Sequence, residues 1–569
     1  MPSLKSLRIA AQAASHVPPA ALVGHLRRRL RDRLVPLRAD AFLASLLREA
    51  DALPSVAITA TPPAQRAAAV VAGFFAAKHA KNVPQCFDGR FTFLNRSHDF
   101  GSVAQVDWRV DNDGGKYQLW RANLAFMGYM CTAIDAAPEQ GLAFAARMIE
   151  SFRREAHFRK RSVFGDLWNS YPVSQRILAL SAALIRLPET LAGTPDWHVV
   201  DSFLRLNVAY LVRNLETELG FNHLERNLSA LTLYALASQS LPERVRAALS
   251  ANFDHVVHDT IGEDGVQLER SPMYQGLTVQ SLRVLRELDY WSPAQQALIA
   301  RRLTSVELAL AAMTLGDDRP AMMNDGWFDE TPVTSAILGE HARPGFVALR
   351  DAGYVRLAQG DAVILFDAGP IGPDANPGHG HADFLSAEMS LGAERLLVDP
   401  GTIGYSVGTE RTRTRSWDAH NGPAIRGAQP VTFLGSFKIG QRAAAQLELA
   451  EAVGDEQRAA GSLAFGPFAV SRRITLKGGT SLCIIDRWLR GDGERTTSFL
   501  IPATWRIESR GERSLTLASS SRRVQIEIIG GTLELGEGVW SCRYNQTEPA
   551  HLLSVRPDGG EVTTLITWS

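Results

Sequence analysis

From about Pro63 to about Leu315 the apolar residues recur three and four positions apart with few alternating runs, the spacing that lines one face of a helix. The pattern predicts successive amphipathic helices through this half of the chain. One helix start is explicit: Ser292 offers a side-chain cap, Pro293 stands where a missing N–H costs nothing, and Gln295 completes a capping box ahead of Leu298, Leu303 and Leu308. Leu224, Leu228, Leu231 and Ala235 form another stripe directly after Asn222 and His223, which puts those two polar residues at a helix N-terminal end. After Gly353 the period falls to two. Short strands are expected at Ala362 to Phe366, Leu396 to Val398 and Ser481 to Ile485, separated by Gly and Asp turns. Val524, Ile526 and Ile528 alternate with Gln525 and Glu527, and Gly530-Gly531 leads into a second alternating run through Leu533 and Leu535, predicting a hairpin with one buried face.

Strands at this spacing predict stacked antiparallel sheets, not a parallel sheet with crossover helices. With 569 residues the chain is long enough for more than one core. The expected division is a partly basic helical segment over residues 1–60, a helical domain over 61–340 and a β-sandwich domain over 341–569, the change of texture falling near 330 to 350.

Charge and composition remove some partners. Lys plus Arg equals Asp plus Glu at 60 each, and no basic stretch is interleaved with aromatics, which argues against nucleic acid. Cys86, Cys131, Cys483 and Cys542 are widely spaced with no Cys-x-x-Cys pair, so buried free thiols are expected. No apolar run is long enough for a transmembrane helix, and the apolar stretches near the start are interrupted too early for a signal peptide. Near the start Lys5, Arg8, Arg27, Arg28, Arg29, Arg31, Arg33 and Arg38 face only Asp32 and Asp40. A solvated helix face with outward arginines accounts for them; a membrane surface or an anionic partner is the other reading.

The densest group of possible ligands is His379-Gly380-His381-Ala382-Asp383, followed by Asp399 and His420-Asn421. In a strand His379 and His381 project from one face, and His381, Asp399 and His420 make a sensible His-Asp-His set. Such donors suit zinc, while the carboxylate leaves other divalent ions open; a hydrogen-bonded polar network is the competing reading. A second group lies in the helical half: Asn222-His223 with Glu225, then Glu269-Arg270-Ser271-Pro272-Met273-Tyr274. Asn324-Asp325-Gly326-Trp327 adds a polar turn. Glycine-rich dinucleotide or phosphate loops, a Gly-x-Ser-x-Gly elbow and His-Glu-x-x-His are absent from the sequence.

Taken in order, Asp107-Trp108, Leu119-Trp120-Arg121, Trp168 to Pro172, Asn222-His223-Leu224, Glu269 to Tyr274, His379 to Asp383, Asp399 to Thr402, Tyr405 and Ala419-His420-Asn421 resemble the heparinase II/III-like family of bacterial polysaccharide lyases. The resemblance implies an N-terminal (α/α) toroid followed by a C-terminal antiparallel β-sandwich, with a cleft between them. It implies an anionic polysaccharide substrate, Asn222, His223 and Tyr274 acting from helices, and His379 acting from the sheet domain. His381, Asp399 and His420 would hold a structural divalent metal, with zinc the expected ion, and Glu225, Trp120, Trp168 and Arg415 would contact substrate. Gln275-Gly276 follow Tyr274 where many relatives carry a histidine. A periplasmic or cell-envelope location follows from the family, a cytoplasmic one from the missing export signal.

Chemistry agrees with those residue types. The C5 hydrogen of a uronate is weakly acidic while its carboxylate stays charged, so Asn222 with His223 would neutralise that group. Tyr274 with His379 or His223 would then supply the base for C5 and the acid for O4. A glycoside hydrolase built on Glu225, Asp264, Glu269 or Asp325 is a different enzymatic reading. A non-catalytic protein stacking sugars on Trp108, Trp120 and Trp168 is a third.

Overall fold

Ser292 and Gln295 cap each other in the computed structural model: the Ser292 N–H donates to Gln295 Oε1 (3.0 Å), and the Gln295 N–H donates to Ser292 Oγ (3.3 Å). The helix they open is Pro293–Ala312. Residues 17–114, 118–340 and 343–569 are described; Lys5 and Arg8 of the basic segment lie outside them. The chain forms two compact units, one from Pro18–Ile261 and Leu277–Thr304, the other including Gly262–Gly276 and Ser305–Ser569.

The first unit is helical. Its longer members include Pro62–His79, Pro138–Glu155, Ser170–Arg186, Pro195–Arg213 and Phe221–Ser238. Thr61 and Thr194 cap two of them by accepting from the N–H groups of Ala64 and Trp197, each ahead of a proline in the first turn. The stripe after His223 belongs to a helix buried almost all round: every residue of Phe221–Ser238 except His223 is buried. Its small and hydroxyl residues, Ser229, Ala230 and Thr232 among them, allow that enclosure.

The second unit is built on antiparallel sheets. Val347–Leu349, Tyr354–Gln359, Ala362–Asp367, Ala387–Leu391 and Glu394–Leu397 pair in chain order. Both faces of this sheet are covered, so Ala362–Asp367 reads as an unbroken apolar run. Val355, Leu357, Ile364 and Phe366 join the main β core, whereas Tyr354, Val363 and Leu365 pack with Ala309, Met313 and Leu315. Residues 305–340 therefore lie in the same compact unit as these sheets. Arg356 fixes the junction: its guanidinium donates to Pro344 O (2.8 Å), Ala312 O (3.2 Å) and Thr314 O.

Two local expectations are corrected. Arg523–Ile529 buries alternate residues as the sequence predicts, but it does not form a hairpin with Gly531–Arg543. It pairs instead with Ser514–Ala518 and Glu561–Trp568 in an eight-stranded sheet, while Gly531–Arg543 pairs with Gln546–Pro557 in a four-stranded one. Gly530, at φ +79°, turns the chain from one sheet into the other. Residues 378–383 are likewise not a strand. A turn closed by Gly380 N–H on Pro377 O (2.9 Å) precedes the strand Ala387–Leu391, and the segment is held to Asn324 and Asp325. Among the described residues no helix is long and apolar enough to cross a membrane, and all four cysteines are free.

Candidate active site

Ser271 and Pro272 start the helix Pro272–Arg286, with Ser271 Oγ accepting from Tyr274 N–H (3.3 Å). Tyr274 thereby falls in the first turn. Just before it Arg270 adopts φ +59° and pairs with the buried carboxylate of Asp367, while Tyr354 Oη donates to Arg270 O (2.7 Å). Gln275 is fully buried and closes the loop beneath Tyr274, accepting from Gln267 N–H (2.9 Å) and donating to Gly265 O (2.7 Å) and Val306 O (3.1 Å).

The Tyr274 and His379 rings lie 4.7 Å apart between centroids, and the Tyr274 hydroxyl is 3.0 Å from that of Tyr405. His379 remains 11% exposed and keeps its Nδ1 2.9 Å from Asp325 Oδ2. Since a carboxylate only accepts, the hydrogen sits on Nδ1 and donates, and in the tautomer this selects the lone pair is on Nε2. Glu269 Oε1 lies 3.8 Å from that Nε2. Asp325 is the hub. It is buried, accepts from His381 Nε2 (3.1 Å), Thr402 Oγ1 (3.1 Å) and Arg411 Nη2 (2.8 Å), and takes a second bond from Arg411 Nη1. Burial pushes its pKa up, but Arg411 and the hydrogen bonds from His379, His381 and Arg411 prevail and hold it well below the usual carboxylate range. In the sequence Asp325 stands out as part of a polar turn and as one of four carboxylates that a hydrolase could use, whereas Arg411 carries no signal of its own.

His381, Asp399 and His420 each bring one donor atom to within 4.8 Å of the others, and all three are buried. With Nε2 of His381 engaged by Asp325, its Nδ1 has no hydrogen-bond partner, and neither has His420 Nε2. Burial pushes the His381 pKa down to about 4, so the ring is neutral, as a ligand must be. Burial together with Asp367 pushes the nearby Asp383 carboxyl up to about 7, a sign of crowded acids that a cation would relieve. Orphaned imidazole nitrogens beside buried carboxylates fit a divalent metal.

In the helical unit, Gly220 (φ +62°) and Phe221 (φ +43°) turn the chain into Phe221–Ser238 and place Asn222 and His223 in its first turn. Asn222 is buried and His223 is 27% exposed. His223 Nδ1 lies 3.1 Å from Oε1 of Glu216, a fully buried carboxylate that also receives Asn227 Nδ2 (3.2 Å). Glu216 lacks any sequence signal of its own. Burial raises its pKa, but His223 with Arg28 and Asn227 brings it below the ordinary value.

The proposed substrate contacts fare differently. Trp120 and Trp168 are core residues: their indole N–H groups donate to Arg96 O (2.9 Å) and Ala156 O (2.6 Å), and Arg176 lies over the Trp168 ring at 5.2 Å. Trp108 is also buried and donates to Ser151 Oγ (3.2 Å), so these tryptophans present no surface for sugar stacking. Arg415 is 1% exposed and spends its guanidinium on Gly378 O (3.2 Å), Gly380 O (2.8 Å) and Ser436 O (2.8 Å). It positions the His379 loop instead of meeting a ligand. Glu225 is buried and accepts from Thr278 Oγ1 (2.8 Å).

Residues 341–569 match the family described as Heparinase II/III-like, C-terminal. No curated protein matches the sequence. Among solved structures, the chain is similar to a crystal structure of Heparinase III, with TM-score 0.66, 14% identity and coverage of 92% of this chain and 89% of that one. A heparan sulfate lyase HepC mutant from Pedobacter heparinus gives TM-score 0.57 and 15% identity, covering 94% of this chain and 88% of that one. At these identities the likeness is one of fold, a helical N-terminal region followed by antiparallel sheets.

Proposed function

We propose that the chain, whose residues 341–569 match the family described as Heparinase II/III-like, C-terminal, is a polysaccharide lyase that cuts a uronic-acid-containing glycan by β-elimination. The observation that carries this reading is the Tyr274 ring packed beside the His379 ring, which is oriented by a buried, ionised carboxylate.

In this reading Asn222 with His223 meets the uronate carboxylate and lowers the cost of charge developing at C5. A base removes the C5 proton, the C5–H electron pair becomes the C4–C5 double bond, and the C4–O4 bond breaks as O4 takes a proton from the acid. Tyr274, of a residue type that keeps its proton to a pKa of about 10, is assigned as the acid. His379, with Nδ1 held by Asp325, offers Nε2 as the base. A divalent metal held by His381, Asp399 and His420 would supply fixed positive charge that secures the His379 loop. Asp325 itself is unsuited to a hydrolase role, because Arg411 and two histidines already occupy its oxygens.

A panel of uronate polymers, followed by absorbance of the unsaturated product, tests the reading. New ultraviolet absorbance lost in Tyr274→Phe supports it; new reducing ends without a double bond would replace it with hydrolysis.

A further inference from the structure

The helix Pro19–Leu34 is docked with its polar side inward. Gly24 sits against Glu218, where an added Cβ would come within 2.5 Å of that side chain. Arg28 pairs with Glu218 and lies 3.5 Å from Glu216, while Arg31 donates to Asn214 and stands over the Phe164 ring at 5.3 Å. The outward side carries Leu22, Val23, Leu26, Leu30 and Leu34, continued by Leu37, each between 46% and 78% exposed. At 3.6 residues per turn, Leu22, Leu26, Leu30 and Leu34 follow one another along the helix face. Arg27, exposed, borders this stripe on one side, and exposed Arg29 and Arg33 border it on the other. The one acid of this helix, Asp32, bonds to Arg31 at 2.9 Å on the inward side.

A continuous apolar stripe in water marks an interaction surface. Its rim decides the partner. Isologous pairing with a second copy would set the same arginines against one another, whereas phosphate headgroups above acyl chains complement both rim and stripe. At 16 residues the helix is too short to span a bilayer, so it would lie in the plane. We propose that Pro19–Leu34 binds an anionic phospholipid surface, seating Leu22, Leu26, Leu30 and Leu34 at the acyl boundary with Arg27, Arg29 and Arg33 at the phosphates.

Sedimentation of the full chain with vesicles of phosphatidylcholine, alone or mixed with phosphatidylglycerol, tests this. The chain is expected to sediment with the mixed vesicles and to be released by salt. Leu26→Asp combined with Leu30→Asp should abolish binding, and Arg27→Gln, Arg29→Gln and Arg33→Gln together should weaken it by at least about tenfold. These substitutions leave Arg28 and Arg31 docked, so an unchanged thermal midpoint shows that folding is intact. Failure to bind the mixed vesicles, or binding unaffected by either variant, overturns the proposal. A dimer dispersed by the Leu26→Asp, Leu30→Asp variant without any vesicle binding would overturn it in favour of a copy-to-copy interface.

Discussion

Asp325 holds His379 through Oδ2 at 2.9 Å and His381 through Oδ1 at 3.1 Å, so one buried carboxylate fixes the tautomer of both rings. Asp325→Asn removes the charge that Arg411 requires in a buried site. The expected cost is about 3–5 kcal/mol in urea unfolding, as for other broken buried ion pairs, together with a fall in kcat. An Asn variant with the parent's unfolding midpoint and turnover would show that this carboxylate positions nothing.

Tyr274→Phe and His379→Ala should each lower kcat by about 10²–10⁴, the range for a lost general acid or base. Tyr274→Phe also deletes the bond to the Tyr405 hydroxyl, worth about 1 kcal/mol, so its unfolding midpoint should move little. Product absorbance and urea unfolding on the same preparations separate the two effects. Parent-like turnover in either variant removes that residue from the mechanism.

Metal analysis of the purified chain should find a divalent ion, and His420→Ala should lose it. Dialysis against a chelator should lower the thermal midpoint, with recovery on adding back the metal, because the orphaned nitrogens of His381 and His420 would again be buried without partners. A metal-free protein whose midpoint ignores both chelator and added zinc would identify the cluster as a hydrogen-bonded network.

His79 gives the helical unit an acid sensitivity. Burial, with Lys78 adding to it, pushes the ring's pKa from 6.5 down to about 3, so the folded chain keeps the ring neutral where the unfolded chain protonates it. The unfolded state binds more protons between those values. The contribution is complete at neutral pH and is lost as pH falls from about 6.5 towards 3, at up to about 1.4 kcal/mol per pH unit. Urea unfolding of His79→Leu should show a shallower decline over that window; equal slopes would mean that the ring titrates normally.

Helix starts and buried faces were legible in the sequence because they are local. The Ser292-Pro293-Gln295 cap and the alternation of Val524, Ile526 and Ile528 both appear as expected. Which strand lies beside Ile526 was not, since Glu561–Trp568 takes that place through contacts that local alternation does not encode. His379 and His381 were recognised, yet Asn-Asp-Gly looks like ordinary turn chemistry, and the Arg411 that charges the site comes from 86 residues further on. Trp120 and Trp168 show the opposite failure. A tryptophan whose N–H is satisfied inside a core has the same sequence appearance as one that stacks on sugar.

The chain enters the sheet-bearing unit at Gly262–Gly276, leaves it, and returns at Ser305. A fragment beginning at residue 341 would leave Val363 and Leu365 without the cover of Ala309, Met313 and Leu315, and would strand the Arg356 guanidinium without Ala312 and Thr314. It would also part His379 from Tyr274. Gene fusions or recombination events that treat 341–569 as a portable cassette should therefore yield aggregates, and the two halves have to be inherited together.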